Sequence, residues 1–364
     1  MNIAIIMLAA LSAFHPGAEW KDTDGKPIQA HGGSVIVADG KYYFYGENKE
    51  KTDGVNGLWH WGMRIYSSTD LYNWKDEGLF IPPDEKAPKN AMRNPKSFSD
   101  RPHILFNEKT KKFVCWVKVM QEGDVQTMSI FTADRIAGPY SEVKTGVKPD
   151  GFCAGDFDLV KEDGKAYIVH EVPHSQLNVA ELSEDYCGTV GNVKSYFPCK
   201  GPPFTREAPA HFVRNGRHYL FTSGTTGYWP NPSLVAEAPS VAGPWKNLGL
   251  AARGDVKQTT FDCQVSSVFK VPGKKDCYIA VGDRWLPGDP NSYAAVSNAF
   301  DVAFSGVKDG PAKEAADRFW ADSKTRPIAT CKARYVWLPV KFDGDRPYLE
   351  WCDSWSLDDF ADEK

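Results

Sequence analysis

The chain has 364 residues, is 42% hydrophobic and 25% charged, and carries a formal charge of -4. That composition builds a large core and lacks the basic stripe that nucleic-acid phosphates require, so nucleic acid is excluded as a partner. Its 12 Trp, 15 Tyr and 20 Phe suit the packing of a core and also the C–H faces of sugar rings.

At the amino terminus, Ile3 to Phe14 form an apolar run too short for a bilayer, which needs about 20 residues. It has the length of a signal-peptide core, with small residues that suit cleavage near Ala13 or Ala18, although no Lys or Arg precedes it. Residues 1–18 are therefore expected to be a signal peptide, 19–364 one domain, and the protein secreted or periplasmic. No other segment could span a membrane. The eight cysteines are an even number, compatible with disulfides of unreadable connectivity, with Cys115 and Cys277 equally suited to be buried thiols.

A polar turn followed by an aromatic strand recurs five times, at Gly40 to Tyr45, Lys111 to Trp116, Gly164 to Ile168, Gly216 to Phe221 and Asp276 to Ala280. Four of these are followed by a second strand that runs into a turn closed by Trp74, Tyr140, Tyr186 or Trp245. Steps of 70, 54, 52 and 59 residues between the shared aromatics are the period of propeller blades. The fold expected is all-β, a five-bladed β-propeller, whose site lies where loops between repeats meet the axis.

Three acids precede successive repeats in equivalent places: Asp100 in Ser99-Asp100-Arg101-Pro102, Asp156 in Gly155-Asp156-Phe157, and Glu207 in Arg206-Glu207-Ala208-Pro209. Taken singly, each acid is as readily explained by pairing with a neighbouring Arg101 or Arg206. Together they form the crowded cluster that glycoside hydrolysis needs, in which one acid keeps its proton and a second group activates water or attacks the anomeric carbon. His170-Glu171-Val172-Pro173-His174 matches a zinc-protease pattern, but it follows a strand and contains Pro173, so a chance match is expected. His170 and Glu171 could still reach the axial pocket from their strand end.

With Ala30-His31-Gly32-Gly33, Tyr45-Gly46-Glu47-Asn48, Asp100-Arg101-Pro102, Arg206-Glu207-Ala208-Pro209, Gly282-Asp283-Arg284-Trp285 and Tyr335-Val336-Trp337 in order, the chain resembles glycoside hydrolase family 43, in its exo-β-1,3-galactanase-like branch. The resemblance runs from about residue 28 to 355 and implies an inverting, exo-acting hydrolase of β-1,3-linked galactan, with an oligosaccharide or polysaccharide as its partner. It implies Glu207 as general acid and Asp156 as the acid that tunes it. The first-blade Asp that most of the family uses as base is missing. In its place the branch implies Gln264, through its imidic-acid tautomer, while Asp100, where the branch usually has Glu, could bind a hydroxyl or activate water. His31, Glu47, Arg101, Thr226, Tyr228, Asp283, Arg284 and Trp285 are expected to shape the pocket. No cofactor is required and no metal-ligand motif stands out, although family propellers often hold calcium at the axis. Other family 43 specificities (arabinofuranose, galactofuranose, xylose) and a non-catalytic glycan-binding propeller are the alternatives. Residues 287–333 form an extension that the resemblance does not explain.

Overall fold

A computed structural model describes residues 12–121, 123, 125–326 and 328–363. Four antiparallel sheets follow one another along the chain, each with its strands in sequence order. They are β1 (His31–Ala38), β2 (Lys41–Glu47), β3 (Met63–Ser68) and β4 (Lys75–Ile81); then β5 (Phe98–Asn107), β6 (Lys112–Met120), β7 (Gln126–Ala133) and β8 (Ser141–Val147). The third and fourth are β9 (Phe157–Glu162), β10 (Lys165–Val172), β11 (Gln176–Leu182) and β12 (Thr189–Tyr196), and β13 (Arg206–Arg214), β14 (Arg217–Gly224), β15 (Leu234–Ala238) and β16 (Lys246–Leu250). After the short β17 (Ala252–Arg253), a three-stranded sheet joins β18 (Gln264–Lys270), β19 (Tyr278–Arg284) and β20 (Arg334–Pro339). β21 (Lys341–Asp343) and β22 (Arg346–Glu350) pair with β17 in a small sheet.

The fold is a β-propeller, but the described residues form six sheets where the repeat predicts five. The additional one is made of strands of two to five residues and is closed by a parallel pairing of Ala252 with Leu349. A contact so distant in sequence leaves no periodic trace. The inner strands β1, β5, β9, β13 and β18 pack in turn against one another around the axis. Between the sheets lie aromatic and β-branched clusters, such as Phe44, Trp74, Tyr335 and Trp337.

The propeller is all-β as expected, and the extension that the resemblance does not explain is a helical hairpin set into it, α1 (Tyr293–Ser305) and α2 (Pro311–Lys324). Ser292 caps α1, Gly306 ends it in the left-handed conformation, and Pro311 opens α2. Val296, Ala299 and Val302 face Ala316 and Phe319, a helical apolar spacing legible in the sequence.

Of the expected signal segment, residues 1–11 lie outside the described residues. Phe14 is buried, exchanges backbone hydrogen bonds with Trp355 (2.8 and 3.2 Å) and stacks on its ring at 4.3 Å. Cleavage near Ala18 would strip this ring from the core, whereas cleavage near Ala13 would leave it in place. Among the described residues, no helix is long and apolar enough to cross a membrane, and the eight cysteines are unpaired thiols.

Candidate active site

The inner strands break register where their chemistry lies. β-Bulges separate His31 from Ser34, Asp100 from His103, and Glu207 from Ala210. In each, the residue after the first named one has positive φ: Gly32 (59°), Arg101 (54°) and Ala208 (49°). Such a bulge bends the strand and re-aims the side chain beside it. Gly32 has no alternative, since a Cβ there would stand 2.6 Å from the Glu47 carboxylate. The acids of successive strands are thereby gathered in a cleft of about 310 Å³, with Asp100, Arg101, Lys118, Asp156, Glu171 and Glu207 among its lining.

Lys118 Nζ donates to Asp156 at 2.8 Å and lies 3.4 Å from Asp100, and Arg101 Nε is 2.9 Å from Asp156. Arg101 also donates to the carbonyl oxygen of Gln264, which accepts from Trp285 Nε1 at 3.1 Å. The Gln264 amide nitrogen donates to Glu207 Oε1 at 3.0 Å and to Ser223 Oγ at 2.8 Å. These partners define the amide's orientation, because Arg101 and Trp285 can only donate. Glu47 is held by Lys49 at 2.8 Å and accepts from the Arg101 backbone at 3.3 Å.

Five carboxyls (Glu47, Asp100, Asp156, Glu171, Glu207) thus lie near three cations (Lys49, Arg101, Lys118). Burial, then the charges of Asp156 and Glu171, push the Glu207 carboxyl well above its ordinary range. Glu171 rises to about 7 through burial and the neighbouring Asp156. For Asp156, burial acts upward, but Arg101 and Lys118 outweigh it and hold the carboxyl below its usual value. Glu47 is raised by burial against the pull of Lys49. The surroundings of Glu207 and Asp156 thus push their carboxyls in opposite directions, one up and the other down.

Of the residues singled out in the sequence, Glu47, Asp100, Arg101, Asp156, Glu207, Tyr228, Gln264 and Trp285 line the cleft. Asp283 reaches an adjoining recess beside Gln264 and Trp285, where it accepts from the Gly32 backbone at 2.9 Å and bonds His31 Nδ1 at 2.9 Å. His31 is behind it, stacked on Tyr335 at 5.0 Å, and braces the wall. Thr226 is buried, donating to the Trp229 carbonyl at 2.7 Å and accepting from Asn231 at 2.6 Å, so it secures the loop that carries Tyr228. Arg284 is outside the cleft, donating to the Phe261 carbonyl at 2.7 Å and lying 5.2 Å from the Trp351 ring. Strand alternation explains this, because neighbours of Asp283 on β19 point to the opposite face. Among the described residues Arg206 pairs with no carboxylate and rests on the Phe197 ring at 4.0 Å.

His170 is on β10 and His174 in the turn after it, so the zinc-like pattern has no helix to align its imidazoles. Its Glu171, however, joins the cleft. Lys118, Phe300 and Phe304 are lining residues that sequence reasoning missed. A charge inside the apolar run Val114 to Met120 was the available signal for Lys118. Among the described residues no group of three or more His, Cys, Asp or Glu side chains is placed to hold a metal ion. Asp100 and Asp156 are neutralised by Lys118 and Arg101 instead.

The sequence model of glycosyl hydrolases family 43 matches residues 26–281. No curated protein matches the chain. Among solved structures, a family 43 β-1,3-galactosidase is 29% identical with a TM-score of 0.76, covering 96% of this chain, which spans 64% of that protein's length. A second family 43 β-1,3-galactosidase, solved with galactodeoxynojirimycin, is 27% identical with a TM-score of 0.74, covering 94% of this chain and 100% of that one. An exo-β-1,3-galactanase from Clostridium thermocellum shares the fold at 24% identity and a TM-score of 0.71, over 94% of this chain and 66% of that one. With well over half its length matched by the family model, the chain belongs to glycosyl hydrolases family 43.

Proposed function

We propose that this protein hydrolyses β-1,3-linked galactose from the end of a glycan with inversion at the anomeric carbon. The observation that carries the reading is the half-buried Glu207, its carboxyl raised and its Oε1 occupied by the Gln264 amide, which leaves Oε2 as the oxygen to deliver a proton. Similarity to the two β-1,3-galactosidases supports the choice of sugar. In the reaction, a water oxygen attacks the anomeric carbon while the glycosidic C–O bond breaks. The Glu207 proton passes to the departing oxygen, and the water's proton to a base on the opposite side.

For that base we assign Asp100. The Gln264 carbonyl already accepts from Arg101 and Trp285, and an imidic-acid O–H at that position would face two groups that only donate. Among the described residues Asp100 Oδ1 is buried with no hydrogen-bond partner, and the Lys118 ammonium lies 3.4 Å from it. Asp100→Ala should lower kcat on β-galactosyl fluoride by about 10²-fold or more. Azide, a nucleophile that needs no base, should restore turnover and yield α-galactosyl azide. A variant that azide does not rescue, beside a rescued Gln264→Ala, would move the role to Gln264.

The function itself is tested by following β-1,3-galactobiose and galactotriose by time-resolved NMR, beside arabinan and xylan oligomers. Galactose emerging first as the α-anomer is the expected result. First appearance of the β-anomer would refute inversion, and turnover confined to another sugar would discard the substrate.

A further inference from the structure

The helical hairpin lies beyond the residues matched by the family model, yet its first helix reaches the catalytic cleft. Phe300 and Phe304 stand four residues apart and so share one face of α1. Both line the cleft. Phe300 is braced from behind by Trp229 at 6.0 Å and Trp320 at 5.2 Å. Phe304 is different, because it is 55% exposed. Its ring lies 5.5 Å from that of His174, whose backbone donates to the Glu171 carboxylate at 3.1 Å. An aromatic face kept in water at the mouth of a polar cleft is the surface that the C–H face of a sugar would cover.

Direction follows from the acids. The carboxyls and Trp285 form the buried end of the cleft, so the sugar being cleaved occupies that end and the leaving group extends toward the exposed rim. We propose that Phe304, with His174 beside it, is the platform on which the first sugar of the leaving group stacks, so that the hairpin selects a glycan over a small aglycone. This rests on the galactosidase reading above. Phe300 and its Trp229 brace then position the platform relative to Glu207.

The test compares kcat/KM for β-1,3-galactotriose, which fills the platform, with that for β-galactosyl fluoride, which has no leaving-group sugar. Phe304→Ala should lower the ratio of the two about five- to tenfold, matching the ~1 kcal/mol of one aromatic contact. Phe304→Trp, which keeps a flat face, should hold the ratio within about twofold of the wild type. An unchanged ratio in Phe304→Ala, with the wild type active on both substrates, overturns the platform and leaves the galactosidase reading intact. A wild type inactive on both substrates overturns the galactosidase reading and the platform with it.

Discussion

Glu207→Gln lowers kcat on β-1,3-galactotriose by about 10³-fold, within the 10²–10⁴ that a positioned general acid supplies. The fluoride ion of β-galactosyl fluoride departs without a proton, so that substrate loses far less. Geometry is retained in the variant, because the new amide oxygen accepts from Gln264 Nε2 as Glu207 Oε1 does at 3.0 Å. Equal losses on both substrates would mean that Glu207 serves binding or folding and is not the proton donor. The same substitution has a pH signature in stability. A carboxyl raised by folding keeps its proton when the unfolded chain has lost it, so stability falls as pH climbs from the ordinary carboxylate range to the raised value. Glu207 and Glu171, the latter raised to about 7, both act in this direction. Urea unfolding at pH 5 and pH 8 should therefore show a smaller loss of stability in Glu207→Gln than in the wild type.

Arg101→Met costs about 3–5 kcal/mol of stability, the usual consequence of stripping one partner from a buried ion pair. Asp156 would be left in the interior with Lys118 alone, against the burial that already acts on it. The backbone contributes little to the difference, since Met inherits the same positive φ of 54° that Arg bears. Adding Asp156→Asn removes the stranded charge, so the double variant should lose less than the sum of the two single ones in urea unfolding. Strict additivity would show that Arg101 and Asp156 are not coupled.

Both expectations rest on groups whose candidacy was visible in the chain and whose behaviour was not. Asp100, Asp156 and Glu207 each precede an aromatic strand at the same place in the repeat, a local pattern. That Arg101 makes its ion pair with Asp156, 55 positions away, could not be read locally, because it needs β5 and the turn before β9 brought together. Lys118 faces the cleft from β6, and its pairing with acids before β9 and within β5 needs two sheets in place.

The strand repeat, the aromatic cores between sheets, the candidate acids and the family were legible in the chain, because each is written in short-range pattern or in ordered motifs. The sixth sheet and the place of residues 287–333 as a wall of the cleft arise only when distant segments meet. So do the pKa shifts. A pKa is set by every charge within several ångströms and by the water excluded around it, and here those charges come from β2, β5, β6, β10, β13 and the turns between them. Strand pattern records which residues turn inward, while only the closed propeller brings five carboxyls near three cations and pushes the Glu207 carboxyl up.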